Sequence, residues 1–171
     1  MSKLIWITGL SGSGKTTIGK GVFQKLKEKE VNTVFVDGDQ YREVFGASGY
    51  TKAERLVVAK NIVKLCNFLI DQNINVVCCT ISLFKEIHEQ NKKQFKNYYE
   101  IFVSCEIEEL IKRDQKELYS KALKGEIKNV VGVDIKYNKP SNPFLLIDNN
   151  KKDGLTENID LIYKKIFRNE N

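Results

Sequence analysis

The feature that most constrains this chain is a glycine-rich loop set between an apolar run and a helical pattern. The pattern G-x-x-x-x-G-K-[ST] is matched at every defined position by Gly9-Leu10-Ser11-Gly12-Ser13-Gly14-Lys15-Thr16. The β-prone run Leu4–Thr8 precedes this loop, and Lys15–Glu30 follows it with apolar residues at three- and four-residue spacing. A strand, a glycine-rich turn and a helix in this order predict a binding loop for a nucleoside triphosphate.

The residue types of this loop suit phosphate chemistry. Glycines allow backbone N–H groups to curl around a phosphate without Cβ clashes, and the N-terminus of a helix adds positive potential. Lys15 can reach the β- and γ-phosphates, and the Thr16 hydroxyl can ligate Mg²⁺. The loop does not identify what receives the phosphate.

Apolar, β-prone runs alternate along the chain with longer helical patterns. Further strands are predicted at Thr33–Val36, Asn75–Thr80, Tyr98–Ser104 and Phe144–Asp148. Helices are predicted after the N-cap Thr51 and at Leu83–Lys96, Glu106–Arg113 and Leu155–Arg168. Continuous apolar strands separated by helices are typical of parallel sheets. We therefore expect an α/β fold with a five-stranded, mostly parallel sheet flanked by helices on both faces, in a single domain of 171 residues.

The stretch Asp114–Pro143 differs from the rest of the chain. It is rich in Lys, Gly and Asn and lacks strong apolar periodicity. Compact domains seldom carry so long a weakly packed segment unless it moves or binds a ligand. We expect a lid over residues 114–143, with a short helix near Gln115–Lys124.

Charge and composition disfavour several classes of protein. Lys and Arg number 28 against 22 Asp and Glu, which gives a net charge of +6 and a pI near 9.0. No run of five or more basic residues occurs, so a solvated surface is favoured over nucleic-acid binding. No apolar run approaches the roughly 18 residues of a membrane span, and the N-terminus lacks a signal-peptide pattern.

The cysteines and the single histidine suggest no metal site. The spacing of Cys66, Cys78, Cys79 and Cys105 matches no zinc pattern. Neighbours in a strand point to opposite faces, so Cys78 and Cys79 cannot jointly clasp a metal. We expect packed, reduced thiols and therefore a cytoplasmic protein. His88 lies in a polar helical pattern, and we expect it at the surface without a role.

Charged side chains follow the second predicted strand. Asp37, Gly38 and Asp39 come directly after Val36, and Arg42 follows one turn later. Ligands of open α/β sheets bind beyond the carboxyl ends of the strands. A carboxylate there can orient a hydroxyl group, accept its proton or hold a metal-bound water, and an arginine can bind an anionic substrate group. These residues predict the acceptor side of a phosphotransfer site.

Several stretches together resemble one family of P-loop kinases. They are Gly9–Thr17, Asp37–Arg42, Ile81-Ser82, and, within the predicted lid, Arg113–Ala122, Gly125–Asn129 and Tyr137–Pro140. In these stretches the chain resembles the adenylylsulfate kinases, which use ATP to phosphorylate the 3′-hydroxyl of adenosine 5′-phosphosulfate. The resemblance covers nearly the whole chain. It implies a P-loop kinase fold, ATP and Mg²⁺ as cofactors, a nucleotide as the acceptor and a homodimer.

The resemblance also implies roles for matching residues. Asp37 activates the 3′-hydroxyl, Lys15 contributes to catalysis, and Thr16 and Asp39 lie near Mg²⁺. ATP is bound by Gly9, Ser11, Gly12, Ser13, Gly14, Lys15, Thr16 and Thr17, and by Arg113, which packs on the base. The acceptor is bound by Arg42 and Arg55, which hold its charged 5′ group, and by Ser82, Lys121, Ile127, Lys128 and Val130. For Ser82, a hydroxyl that only bonds the backbone at a strand end is an equally open interpretation.

The chain departs from the family pattern on the acceptor side. Val58 replaces an asparagine that contacts substrate, and Val130 replaces a phenylalanine that stacks on adenine. Because the ATP half is kept, this asymmetry favours the same reaction on a different nucleotide. The chain resembles a bacterial subgroup, associated with capsule modification, that phosphorylates cytidine diphosphoramidate. The alternatives are adenylylsulfate, another nucleotide, and a nucleotide-binding or ATPase module without phosphotransfer.

Overall fold

Strands and helices alternate in a computed structural model that describes residues 1–114, 117–151 and 153–168. The strands are β1 (Leu4–Thr8), β2 (Thr33–Asp37), β3 (Asn75–Thr80), β4 (Tyr98–Ser104) and β5 (Leu145–Asp148). The helices are α1 (Lys15–Lys27), α2 (Gly38–Phe45), α3 (Lys52–Asp71), α4 (Lys85–Gln94), α5 (Ile107–Arg113), α6 (Leu118–Leu123) and α7 (Leu155–Arg168). All five predicted strands are confirmed to within one residue at each end.

The strands form one sheet in the order β2-β3-β1-β4-β5. Every pairing between these strands is parallel, with Leu4 opposite Val76 on one side and Tyr98 on the other. All residues of β1 and β3 are buried, because helices cover both faces of the sheet. The α/β architecture is confirmed, and β1, which carries the glycine-rich loop, lies at the centre of the sheet.

Alternate residues of the central strands pack into two separate apolar cores, one on each face of the sheet. Ile5, Ile7 and Cys79 pack on one face against apolar residues of α1 and α7. Trp6 and Cys78 pack on the other face against α3 and α4. Adjacent cysteines therefore do face opposite sides of the sheet. All four cysteines are free and buried, and burial raises the pKa of the Cys79 thiol.

Among the described residues, no helix combines the length and apolar character that a bilayer crossing needs.

Helix α2 was not predicted, since the sequence analysis placed Asp37, Gly38 and Asp39 after the second strand and assigned no helix there. The Asp37 side chain accepts hydrogen bonds from the backbone N–H groups of Asp39 and Gln40, which makes it the N-cap of α2. Gly46, at φ 65°, ends the helix in the left-handed conformation. No residue of α2 is fully buried, so apolar periodicity gives little signal for this helix.

The segment predicted as a lid is packed rather than loose. Its short helix, α6, occupies Leu118–Leu123, whereas Gln115 and Lys116 lie outside the described residues. A third apolar cluster joins buried residues of this segment to Leu10 and Leu110; they are Tyr119, Val130, Val131 and Ile135. The weak periodicity of the sequence therefore reflects irregular backbone and not weak packing.

His88 is buried, so the prediction of a surface histidine was wrong. Its Nδ1 lies 2.6 Å from Glu100 Oε1, and its Nε2 lies 3.2 Å from the Asn138 carbonyl oxygen. A carboxylate oxygen and a carbonyl oxygen both accept hydrogen bonds, so each ring nitrogen of His88 faces an acceptor. Tyr98 donates to the same Glu100 oxygen, and Lys92 Nζ lies 3.3 Å from the other. This buried cluster fastens Asn138, near the end of the predicted lid, to α4 and β4.

We predict that His88→Ala lowers the free energy of unfolding by about 3 kcal/mol, because it leaves the buried Glu100 carboxylate without its closest partner. Burial raises the pKa of Glu100, but bonds from His88 and Tyr98 and the charge of Lys92 outweigh it, so the pKa lies below its ordinary value. The wild-type contribution is therefore present at neutral pH and is lost as pH falls through that lowered pKa. Urea unfolding at several pH values measures this difference.

The matched control is Glu89→Ala on the same helix, whose contact with Lys85 is exposed. It should change stability by no more than about 0.5 kcal/mol. A His88→Ala protein as stable as this control at neutral pH would contradict the structural role given to His88.

Candidate active site

The glycine-rich loop joins the end of β1 to the start of α1. Gly12 and Gly14 have φ values of 76° and 94°, in the left-handed region. A Cβ added to Gly14 would collide with the side-chain amide of Asn149, so both the left-handed backbone and the position of Asn149 favour glycine there. Lys15 then begins α1, which places backbone N–H groups and the helix N-terminus beside the loop. The local structure matches the phosphate-binding loop that the sequence predicts.

A cavity of about 560 Å³ opens at the carboxyl ends of β1, β2 and β3. Its walls come from the glycine-rich loop, from α2 and α3, from the turn after β3 and from the segment after α6. Predicted site residues that line it are Ser11, Lys15, Thr16, Asp37, Asp39, Arg42, Arg55, Ser82, Ile127, Lys128 and Val130. The structure thus brings the predicted ATP side and acceptor side together around one space.

One residue of the predicted ATP side is in direct contact with one residue of the predicted acceptor side. The Thr16 hydroxyl donates to Asp37 Oδ2 at 3.1 Å, while Asp37 Oδ1 caps α2. Asp39 lines the cavity one residue into α2. A hydroxyl and two carboxylates are oxygen ligands of the kind that Mg²⁺ takes together with substrate phosphates. Of these residues, Thr16 and Asp39 fit a magnesium ion that arrives with a nucleotide.

Two arginines share one tyrosine at the far end of the cavity. Their guanidinium carbons lie 4.6 Å (Arg42) and 5.2 Å (Arg55) from the centre of the Tyr50 ring, within cation–π range. Arg42 donates to the carbonyls of Ala47 and Gly49. Burial and the charge of Arg42 lower the pKa of Arg55, although an arginine stays protonated. Two cations held this close favour an anion between or beside them.

The part of the cavity wall next to Arg55 is a turn after α6. Asp134 accepts hydrogen bonds from the backbone N–H groups of Asn129 and Val130. Burial raises the Asp134 pKa, but those bonds and the charge of Arg55 outweigh it, so the pKa lies below its ordinary value. Arg55 Nη2 donates to the Asn129 carbonyl at 2.7 Å. The turn that presents Val130 is therefore fixed to α3 by the same arginine that lines the cavity.

Three predicted site residues have other surroundings than the sequence suggested. Lys121 forms an ion pair with Glu117 on α6 and is absent from the cavity wall. The Arg113 side chain is 3% exposed and donates to Glu109 and to backbone carbonyls, including that of Asn149. Ser82 is buried, with its hydroxyl 2.8 Å from that of Thr80 rather than on the backbone. Contacts of these residues with nucleotides stay predictions.

Comparison with known proteins places this site in a family. The family model described as adenylylsulphate kinase matches residues 1–148. The cytidine diphosphoramidate kinase of Campylobacter jejuni is 50% identical over 163 residues, covering 95% of each chain. A probable adenylyl-sulfate kinase of Archaeoglobus fulgidus is 35% identical over 154 residues, 90% of this chain and 99% of that one. The chain belongs to the adenylylsulphate kinase family.

A solved structure agrees with this assignment. The adenylylsulfate kinase of Mycobacterium tuberculosis, solved with AMPPNP and APS, is 30% identical with a TM-score of 0.82, covering 94% of this chain and 97% of that one. Membership of this family makes the protein a kinase that transfers phosphate to a hydroxyl acceptor. The P-loop kinase fold predicted from the sequence is confirmed.

Sequence reasoning missed two residues of the site. Tyr50 supplies an aromatic surface to the cavity, and its position immediately before the N-cap Thr51 was the available signal. Asp134 shapes the turn at Val130, but an aspartate in a polar loop carries no signal that distinguishes it from its neighbours. Tyr50 acts through the guanidinium groups of Arg42 and Arg55, and Asp134 acts through backbone N–H groups.

We predict that Asp37→Asn lowers kcat by about 10²- to 10⁴-fold while leaving the ATP KM nearly unchanged. Asparagine caps a helix as well as aspartate, so the fold is kept and only the charge is lost. Steady-state kinetics with both substrates varied measure the effect, and Glu43→Gln, an exposed carboxylate of the same helix, is the control. A near-normal kcat in Asp37→Asn would move the role to Asp39.

Proposed function

We propose that this protein uses ATP and Mg²⁺ to phosphorylate the 3′-hydroxyl of cytidine diphosphoramidate, a step in making phosphoramidate-modified capsule. The observation that carries the proposal is the 50% identity, over 95% of both chains, with the Campylobacter jejuni kinase of that name. An adenylylsulfate kinase is the second candidate, favoured by the family model and by relatives such as the Archaeoglobus fulgidus protein.

The base end of the cavity supports a cytidine acceptor. Val58 and Val130, both nearly buried, line it where the family pattern has an asparagine and a phenylalanine. Tyr50 remains as an aromatic surface of this wall. A stacking aromatic contributes roughly 1–3 kcal/mol per base in single-strand binding, and a pyrimidine offers less surface for stacking than adenine does. An aliphatic wall therefore suits the smaller base.

The charged end of the cavity supports an acceptor with a diphosphate-type group. Arg42, Arg55 and Lys128 bring three positive charges to the lining. Because burial and the charge of Arg42 lower the pKa of Arg55, an anion bound there would relieve the repulsion between the two guanidinium groups. Arginine also matches phosphate oxygens with paired donors. We assign these residues to the 5′ group of the acceptor.

The transfer itself is an in-line displacement. The acceptor hydroxyl oxygen forms a bond to the γ-phosphorus, the bond from that phosphorus to the β,γ-bridging oxygen breaks, and ADP leaves. Asp37 orients the hydroxyl and takes up its proton, while Lys15 balances charge on the migrating group. When bound, Mg²⁺ neutralises the β- and γ-phosphates, and Thr16 and Asp39 are the residues that would hold it.

We also propose a homodimer in a reducing cytoplasm. Exposed apolar side chains on α2 and α3 support self-association: Val44, Phe45, Val57 and Phe68 are each more than half exposed. Four buried free thiols support a reducing compartment.

The acceptor comparison tests the proposal. We predict that kcat/KM for cytidine diphosphoramidate, or for cytidine diphosphate as its analogue, exceeds that for adenylylsulfate at least about tenfold, which is about 1.4 kcal/mol of discrimination. Val130→Phe should shift the ratio toward adenylylsulfate without reaching full activity on it, because Val58 still lacks an amide. A coupled assay of ADP release with each acceptor measures the ratio in both proteins.

Two outcomes would contradict the assignment. Efficient turnover of adenylylsulfate with no use of cytidine nucleotides would keep the protein a kinase but make adenylylsulfate its acceptor. ATP turnover at the same rate with and without any acceptor would favour a nucleotide-hydrolysing module instead.

We predict that Arg55→Ala raises the acceptor KM by roughly 10- to 100-fold, because a hydrogen bond to an anion contributes about 1.5–3 kcal/mol. The ATP KM should stay nearly unchanged. Lys60→Ala, an exposed cation on the same helix, is the control for net charge. An equal rise in the KM values for the acceptor and for ATP would show that Arg55 acts through the turn at Asn129 and not on the acceptor.

A further inference from the structure

Side chains from three separate elements hold the outer face of the glycine-rich loop. Tyr119 Oη donates to the Ser11 carbonyl at 2.9 Å, and Asn149 Nδ2 donates to the Ser13 carbonyl at 2.7 Å. Arg113 Nη1 lies 3.5 Å from the Gly12 carbonyl oxygen. The three consecutive carbonyls of Ser11, Gly12 and Ser13 thus contact, in that order, a residue of α6, a residue of α5 and a residue that follows β5.

These bonds act on the inner face of the loop through the peptide plane. In a trans peptide the C=O and the following N–H point in opposite directions. Fixing the Ser11 carbonyl outward therefore aims the Gly12 N–H inward, and fixing the Ser13 carbonyl does the same for the Gly14 N–H. Inward N–H groups are the donors that a phosphate needs.

Tyr119 differs from the other two because it belongs to the segment that walls the acceptor end. Its side chain is 1% exposed, and its neighbour Leu118 lines the cavity. Burial raises the pKa of its hydroxyl, so the group is a donor across the physiological range. Asp114 accepts from the Tyr119 backbone N–H at 2.9 Å, which fixes the start of α6. One buried hydroxyl therefore connects the phosphate loop to the segment that carries Val130.

We propose that Tyr119 is a positioning residue that couples the phosphate loop to the 117–143 segment. The loop conformation that binds a nucleotide phosphate also places the Ser11 carbonyl where Tyr119 can donate to it. This bond fixes the position of α6 and of the acceptor-site wall that follows it. Coupling of this kind is reciprocal, so a nucleotide in the loop stabilises the packed segment, and a more stable segment tightens nucleotide binding. The inference does not depend on which acceptor the enzyme uses.

The test is Tyr119→Phe, which removes the hydroxyl and keeps the ring in its apolar cluster. We expect the dissociation constant of a non-hydrolysable ATP analogue, measured by calorimetry with Mg²⁺, to rise about tenfold, because the Ser11 carbonyl loses its donor in a buried setting. Amide hydrogen exchange supplies a second readout. The analogue should slow exchange in residues 118–135 of the wild type and leave it unchanged in Tyr119→Phe.

Tyr98→Phe is the matched control. It removes the hydroxyl of a half-buried tyrosine, which donates to Glu100 away from the cavity. We expect it to cost similar stability in urea unfolding, with analogue affinity and exchange protection like the wild type. The proposal is overturned if Tyr119→Phe binds the analogue as tightly as the wild type, if protection of residues 118–135 persists in it, or if Tyr98→Phe shows the same losses.

Discussion

The hydrogen bond between the Thr16 hydroxyl and the Asp37 carboxylate joins the two halves of this enzyme. Thr16 belongs to the helix that follows the phosphate loop, and Asp37 ends β2 and caps the helix that carries Arg42. One carboxylate therefore sets the start of α2 and contacts the residue placed to bind Mg²⁺. The parallel sheet makes this possible, because it delivers β1 and β2 to the same edge across β3.

The parts of the fold that the sequence predicted depend on local patterns. The five strands are short apolar runs between helical patterns, and the loop at Gly9–Thr16 has a fixed spacing of glycines. Helix α2 was missed because its signal is a side-chain cap at Asp37 and a left-handed Gly46, not an apolar stripe. The 114–143 segment was judged weakly packed because its buried residues follow no helical or strand period.

The candidate site also contains residues that the sequence predicted and residues whose surroundings it did not predict. Lys15, Thr16, Asp37 and Arg55 were predicted from motifs and line the cavity together. The surroundings of His88 and the backbone contacts of Arg113 were not predictable, because their partners lie elsewhere in the chain. The pairing of Lys121 with Glu117, four residues earlier, is by contrast a local signal. A histidine within a polar helix gives no indication that a buried glutamate 12 residues later will hold it. Single residues of this kind are determined by tertiary contacts, which a linear pattern does not contain.

The central place of β1 has a consequence for how the chain folds during synthesis. Leu4 pairs with Val76 and Tyr98, so β1 is synthesised well before the two strands that it pairs with. Pairings over such sequence distances carry a large loop-closure cost and slow folding. The glycine-rich loop at the end of β1 therefore reaches its place beside β3 and β4 only after both strands have been synthesised. A nucleotide that binds the folded loop stabilises the assembled sheet and not the unpaired strand.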